Sequence, residues 1–361
     1  MKKIYNYEPH LSIEDKDIII KCIDEGVATT KYNSLFEEKL RNYVGSNVIL
    51  CSSGTSSLHL SLMALGIGAD DEVICPAVTF AATWNSIMYV KAKPVFVDID
   101  PHTWCMDPRE VEKKINDKTK AVISVDLYGN PCDYDQIEKV CRENNLFLIC
   151  DSAQSFGSSY AGKSSGSFGD ITCFSFNLNK IITTLGGGAV VLNNTKIDDE
   201  LIRDMSNQNK KRVNGYDFHG VGFNYRMGST NAALGCSQLE RIGKTLQKKR
   251  DILDWYKKEL IEKAQFQKIT EESISNNWLV VIRLNNSTER KKVEIELTKH
   301  EIECKRVYKP GPEVEWIKLS GRHEKCHHSK KFYKESLSLP SGPGLKREEV
   351  ISICNKIRSV L

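Results

Sequence analysis

No run of the 361 residues is long and apolar enough to cross a bilayer. The opening stretch, MKKIYNYEPHLSIEDKDIII, breaks its apolar character with charge too early for a secretion signal, so a soluble, cytoplasmic protein is expected. An excess of one charge is missing too: 51 Lys and Arg stand against 47 Asp and Glu, evenly spread, for a formal net charge of +4. That balance carries no electrostatic footprint for nucleic acid, whereas a mildly basic surface suits an anionic small molecule. Cysteine occurs twelve times, from Cys22 to Cys354, yet never as CxxC. Cys51, Cys75, Cys150 and Cys173 fall inside apolar strand patterns, which points to reduced core thiols. HEKCHH at 323–328 has ligand-type residues, but its lysine-rich setting reads as a surface loop, and no metal is expected. The small-residue turn SSGTSS at 52–57 is neither a GxxxxGKS/T nor a GxGxxG loop, which excludes the Walker and dinucleotide readings for that turn. Internal repeats, low-complexity tracts and Pro/Gly linkers are absent as well, so the parts of the chain should pack tightly on one another.

What is present is a recurrent pattern. The length exceeds one minimal core and fits a large domain plus a smaller one. Seven short apolar runs, rich in β-branched residues, occupy the first two thirds: NVILC (47–51), EVIC (72–75), PVFVD (94–98), AVISVD (121–126), FLICD (147–151), ITCFSF (171–176) and GAVVL (188–192). Each reads as a buried strand. Amphipathic segments such as SSLHLSLMALGI and YDQIEKVCRENN separate most of them. Strand, helix, strand in alternation predicts an α/β fold: a mostly parallel, seven-stranded sheet with helices on both faces. From about residue 237 the texture becomes one long charged helical pattern, QLERIGKTLQKKRDILDWYKKELIEKA, then alternating NWLVVIRL and a last helix. The domain boundary is placed there: a large unit over 1–240 and a smaller α/β unit over 241–361, with residues 1–12 free to pack on the latter.

Ligands of such sheets bind beyond the carboxyl ends of the strands. After NVILC, the turn SSGTSSLHLSL aims backbone N–H groups and hydroxyls, including Thr55 and Ser56, toward an anion at a helix start; an ordinary helix cap is the blander reading. Phe80 follows EVIC and could stack on a flat ring, although core packing is the commoner fate of a phenylalanine. Asp151 ends FLICD with Gln154 three residues on, placed to hold a positive charge or simply to cap a helix. Ser175 sits in ITCFSF, Lys180 in the loop beyond it, and a glycine triplet at 186–188 lets the chain turn into the next strand. A lysine buried there would lose solvation and favour its neutral amine, the form that attacks aldehydes; on the surface it would do nothing. Taken together, the anion turn, aromatic, acid and lysine meet the needs of pyridoxal phosphate, which wants an imine-forming lysine and a carboxylate on its ring nitrogen. Asp151 and Lys180, 29 residues apart, span one predicted strand and can converge.

These stretches, with GVGFNYRMGSTNAALGCSQLERI at 220–242 and the weaker LSLPSGPGLKREEV near the C-terminus, resemble the nucleotide-sugar aminotransferases of the DegT/StrS group, fold type I pyridoxal-phosphate enzymes. The resemblance implies that Lys180 holds the cofactor through an imine, Asp151 pairs with its pyridine nitrogen and Phe80 stacks on its ring. Gln154 would lie beside the ring hydroxyl, and Thr55, Ser56 and Ser175 would contact the phosphate. Asn224 would reach the phosphate of a neighbouring subunit, which implies a homodimer with shared sites. One departure is visible: Gly186 stands where many relatives carry an acid, which bears on the substrate subgroup rather than on the reaction. The context NKIITT looks more like enzymes that aminate carbon 4 of a keto-6-deoxy sugar than like the carbon 3 group.

The implied reaction is ping-pong transamination from L-glutamate to a nucleotide-linked keto-deoxysugar, serving surface polysaccharide or lipopolysaccharide synthesis, with Lys180 as the base. Three other readings stay open: a carbon 3 aminotransferase, a sugar dehydratase, and a non-catalytic binding protein or sensor on the same fold. Lys180 argues against the dehydratase, whose relatives carry histidine there. Lys211, Arg212, His219 and Arg226 in KRVNGYDFHGVGFNYR stand as equal choices for diphosphate or carboxylate contacts.

Overall fold

Each of the seven apolar runs is a strand of one sheet in the computed structural model, which describes residues 3–210, 217–319 and 324–361. In chain order these are β1 (Asn47–Cys51), β2 (Glu72–Pro76), β3 (Lys93–Val97), β4 (Thr119–Val125) and β5 (Phe147–Asp151). A small hairpin follows, β6 (Ser159–Tyr160) and β7 (Lys163–Ser164), and then β8 (Ile171–Ser175) and β9 (Gly188–Leu192). The sheet order is β1-β9-β8-β5-β4-β2-β3, and only β9 runs against the others. Successive residues serve opposite faces: Ile74 and Val122 enter one apolar core while Val73, Cys75, Ala121 and Ile123 enter the other. A sheet covered on both faces needs both side-chain sets apolar, which is why its strands read as unbroken runs. All twelve cysteines are free thiols, and only Cys304 is not buried.

A second, antiparallel sheet, β10-β12-β14-β13, is built by β10 (Gln265–Phe266), β12 (Val280–Arg283), β13 (Lys305–Arg306) and β14 (Ser336–Leu339). Between β10 and β12, β11 (Ser273–Ile274) leaves to pair with β6. Helices Ile242–Leu260, Ser287–Lys299 and Arg347–Arg358 close a third core around Ile252, Tyr256, Val293, Leu337 and Ile353. The N-terminal segment stitches this unit on: Ile4 bridges Ile302, and Asn6 donates from its backbone to Glu303 (2.9 Å) and from its side chain to the Ser338 carbonyl (3.0 Å). Among the described residues no helix is long and apolar enough to cross a membrane.

Two expectations need correction. The long charged pattern is two helices, Ser229–Glu240 and Ile242–Leu260, broken at Arg241, whose guanidinium pairs with the buried Asp15 of the first helix. The pattern crosses this break because only its first three residues, Gln238–Glu240, belong to the earlier helix, which is buried over Ala232–Leu239, while the amphipathic texture is that of Ile242–Leu260. The HEKCHH segment is not a surface loop over the part that is described: a helix starts at His327, and Cys326, Ser329 and Phe332 are buried. Asp98, at the tip of β3, seeds it by accepting the backbone N–H groups of His328 and Ser329, both at 2.8 Å. His323 lies outside the described residues.

Candidate active site

The strand order sets the tips of β1, β8, β5 and β2 along one edge of the sheet, with β8 and β5 adjacent, and a cavity of about 470 Å³ opens over them. Thr55, Phe80, Asp151, Gln154, Ser175 and Lys180 all line it, so six of the eight residues singled out in the sequence meet in one place. They come from four different strand ends, and the sheet is what brings them together.

The turn after β1 is a capping box. Ser53 Oγ accepts the Ser56 backbone N–H (3.0 Å), and Ser56 Oγ accepts that of Ser53 (2.9 Å). Ser56 is buried and its hydroxyl is spent on the cap, so it holds the turn in shape and does not line the cavity. The first N–H groups of helix Gly54–Ala64 have no intrahelical partner and carry the positive end of its dipole toward the cavity. Gly54 must be glycine because a Cβ would lie 2.8 Å from Cβ of Ser175. Gly188 has the same reason from the other side: its Cβ would meet the Ser53 backbone at 2.5 Å. Gly186 is different, with open space around it but a φ of +152°, a conformation that an acid in its place would rarely adopt.

Asp151 is buried and receives two hydrogen bonds, from Thr83 Oγ1 (2.7 Å) and from the Ala153 N–H (3.2 Å). Desolvation raises its pKa against those bonds and against the charge of Lys180. Behind it, the buried Asp126 ties down the loop after β5, accepting hydroxyls from Ser152 (2.9 Å), Ser155 (2.5 Å) and Tyr134 (2.7 Å). Gln154 faces the cavity with its oxygen committed to the N–H of Tyr128 (2.8 Å), which leaves its amide N–H groups to donate. Tyr128 takes a left-handed backbone (φ 58°, ψ 20°) at this point.

Lys180 follows β8 with its amine 3.9 Å from the ring centre of Trp278. Its pKa is lowered to about 8, chiefly by loss of solvation, while the carboxylate of Asp151 pulls it back up. Tyr7 donates its hydroxyl to the Lys180 carbonyl (2.9 Å), and the Trp278 indole donates to the carbonyl of Asn179. Phe80 is 58 % exposed and meets Tyr308 edge to face, 5.9 Å between ring centres. A large aromatic face left bare in a cavity beside a buried carboxylate and a low-pKa amine fits a flat, cationic, aldehyde-bearing ring with a phosphate.

Two residues are placed elsewhere. Asn224 is exposed in a separate groove with Asn33, Arg203 and Arg226, while the carbonyl of its neighbour Tyr225 accepts the Ser52 N–H at 2.6 Å. His219 pairs with Asp217 (2.8 Å), and Lys211 and Arg212 lie outside the described residues. Sequence reasoning missed Tyr7, Tyr128, Trp278, Tyr308 and Arg306, which also line the cavity. None follows a strand of the large sheet except Tyr128, and NWLVVIRL was the only signal near Trp278.

The sheet, the strand-tip cavity and the Lys180–Asp151 pair define a fold type I pyridoxal-phosphate-dependent aminotransferase. Residues 11–358 match the model of the DegT/DnrJ/EryC1/StrS aminotransferase family, and the chain belongs to that family. It is 38 % identical over 361 residues to the GDP-perosamine synthase of Escherichia coli O157:H7, covering 99 % of this chain and 98 % of that one. It is 32 % identical to the UDP-4-amino-4,6-dideoxy-N-acetyl-beta-L-altrosamine transaminase of Campylobacter jejuni, covering 98 % and 96 %. Among solved structures, a candidate sugar aminotransferase of Streptococcus pneumoniae in its PMP form superposes with a TM-score of 0.95 at 30 % identity, covering 99 % of this chain and 98 % of that chain.

Gly188→Ala is expected to displace the Ser53 turn, because backbone at 2.5 Å cannot yield as a flexible side chain would. Overpacking of this kind costs about 1–3 kcal/mol, roughly a 5- to 150-fold loss in cofactor affinity. Titration of pyridoxal phosphate into the apoprotein measures it, and an unchanged affinity would show that the turn does not hold the phosphate.

Proposed function

We propose that the protein moves the amino group of L-glutamate to C4 of a nucleotide-linked 4-keto-6-deoxyhexose, with GDP as the nucleotide, in the synthesis of a surface polysaccharide. The observation that carries this reading is the convergence of Lys180, Asp151 and Phe80 on one cavity, in a chain that aligns end to end with a GDP-perosamine synthase. The Campylobacter jejuni relative, whose name specifies a 4-amino-4,6-dideoxy sugar, supports the position.

Bound pyridoxal phosphate supplies an electron sink that stabilises negative charge at the carbon losing its proton. Lys180, whose pKa is lowered to about 8, would hold the cofactor through its neutral amine and, once free, would carry the proton from the donor's α-carbon. Asp151 would hold positive charge on the ring nitrogen, Phe80 would support the ring, and the Gln154 amide would donate to the ring hydroxyl. Thr55, Ser175 and the helix start would hold the phosphate. Ser56 acts through the cap. The exposed Asn224 lines a separate groove and not its own cavity, as a residue serving a second copy would, which supports a homodimer with shared sites. In this reading 1–240 carries the cofactor and 241–361 closes over it.

The test offers purified holoenzyme L-glutamate with GDP-, UDP- and dTDP-linked 4-keto-6-deoxyhexoses and with a 3-keto sugar nucleotide. A GDP-linked product bearing nitrogen on C4 by NMR is expected. Amination at C3 moves the protein to the other subgroup, and no amination of any sugar overturns the proposal.

A further inference from the structure

A second lysine, Lys249, is wholly buried and has no part in the chemistry above. It lies in helix Ile242–Leu260 on the same buried stripe as Ile252 and Tyr256, so the helix itself turns the side chain inward. Desolvation lowers its pKa to about 7, with no carboxylate among the described residues to hold it up. An amine this deep is costly unless its N–H groups find acceptors, and an ammonium has three of them. One goes to the Trp278 carbonyl at 2.6 Å and one to the Ser341 carbonyl. The group also sits 5.2 Å from the ring centre of Tyr7, within reach of its π face.

Lys249 does not line the cavity, but Tyr7 and Trp278 do, and both grip the turn that carries Lys180. Tyr7 donates its hydroxyl to the Lys180 carbonyl at 2.9 Å, and the Trp278 indole donates to the Asn179 carbonyl. The Trp278 ring is also the surface on which the Lys180 amine rests, 3.9 Å from its centre. Ser341 extends the same arrangement to the N-terminal segment, since its N–H donates to the Asn6 carbonyl at 2.9 Å. Three segments far apart in the chain, Asn6–Tyr7, Trp278 and Ser341, therefore meet on one amine. Two of them fix where the Lys180 amine lies and keep water from it, and that loss of solvation is what lowers its pKa.

We propose that Lys249 is a positioning residue for Lys180: it anchors the Trp278 backbone and the Tyr7 ring, and through them sets the place and the dry surroundings of the Lys180 amine. The proposal rests on the reading of Lys180 given above, and the experiment separates the two. Lys249→Met keeps the length of the side chain without a donor, so two buried carbonyls lose their partner and the anchor of Trp278 and Tyr7 is gone. Water then reaches the Lys180 amine, and its pKa rises toward that of an ordinary lysine. Trace acetylation of the apoprotein with acetic anhydride across pH 6–10, read by mass spectrometry on the peptide that carries Lys180, follows this amine with no cofactor present. Its midpoint should lie at about pH 8 in wild type and higher in Lys249→Met. Capture of pyridoxal phosphate at pH 7 should slow about 10-fold, the change in neutral amine that one pH unit of midpoint brings. Lys249→Arg, whose guanidinium also donates to carbonyls and stacks on rings, should restore the wild-type midpoint. In the loaded enzyme turnover should fall while the glutamate KM holds, because Lys249 lies outside the cavity. If Lys249→Met does not fold, Lys249→Gln, which keeps N–H groups for the carbonyls but no charge for the Tyr7 ring, is read in the same way. A role in helix packing alone would lower the melting temperature and leave the Lys180 midpoint where it is, and an unchanged midpoint in the folded variant overturns the proposal. A wild-type Lys180 that titrates at about pH 8 in the apoprotein but captures no pyridoxal phosphate overturns the functional reading and leaves the positioning role standing.

Discussion

Lys180→Ala is expected to lower turnover by roughly 10⁴-fold or more, the upper end of what a positioned acid–base group contributes, and to remove the visible band of the lysine-bound cofactor. On the proposed reading the lysine serves twice, as the attachment of the cofactor and as the base, and no neighbour can substitute for it: Tyr7 bonds the backbone beside it, and Trp278 offers a ring face and an indole N–H but no amine. Its behaviour with pH follows from its surroundings. The amine reacts only when neutral, and its pKa is lowered to about 8. The rate at which apoprotein captures pyridoxal phosphate should therefore rise through pH 8 and level above it, where an ordinary lysine would still be climbing past pH 10. Stopped-flow absorbance across pH 6–10 measures both points. A mutant with more than a few per cent of wild-type turnover, or a capture rate still rising at pH 10, would remove Lys180 from the role.

Asp151→Asn should keep the cofactor bound through Lys180 yet cut turnover by about 10²–10³-fold, the usual effect of losing one well-placed electrostatic group. Asparagine keeps the size and the contacts with Thr83 and Ala153 but not the charge that, on the proposed reading, holds a proton on the ring nitrogen. The same change has a second signature. Asp151 raises the pKa of Lys180, so its removal must lower it, and the capture midpoint should move to below pH 8. A merely structural defect would not shift that midpoint downward. A shift upward, or turnover near wild type, would contradict the pairing of these two groups across the cofactor.

Much of this was legible in the residues. The strands of the large sheet are unbroken apolar runs because both faces of that sheet are covered, and their tips lie where the runs end. Asp151, Lys180 and Phe80 could be read from that placement plus their own chemistry. Ser56 could not be separated from Thr55, because both are small hydroxyl residues at a helix start and only the capping geometry shows which hydroxyl is already spent. The break at Arg241 was hidden since no glycine or proline stands at that position and only three residues of the charged pattern precede it. The helix at His327 was hidden since its cap, Asp98, is 229 residues earlier in the chain.

The sequence by itself therefore determined the sheet, the order of chemistry along its tips and the cofactor those residues serve, because each depends on periodicity and residue type over a few neighbours. The tertiary structure alone decided which surface closes the cavity: Tyr7 from the N-terminal segment, and Trp278, Arg306 and Tyr308 from the smaller sheet. Those residues carry no local pattern that marks them. Their position comes from how two hydrophobic cores dock and how the N-terminal segment bonds across them, and that is a property of the folded chain rather than of any stretch within it.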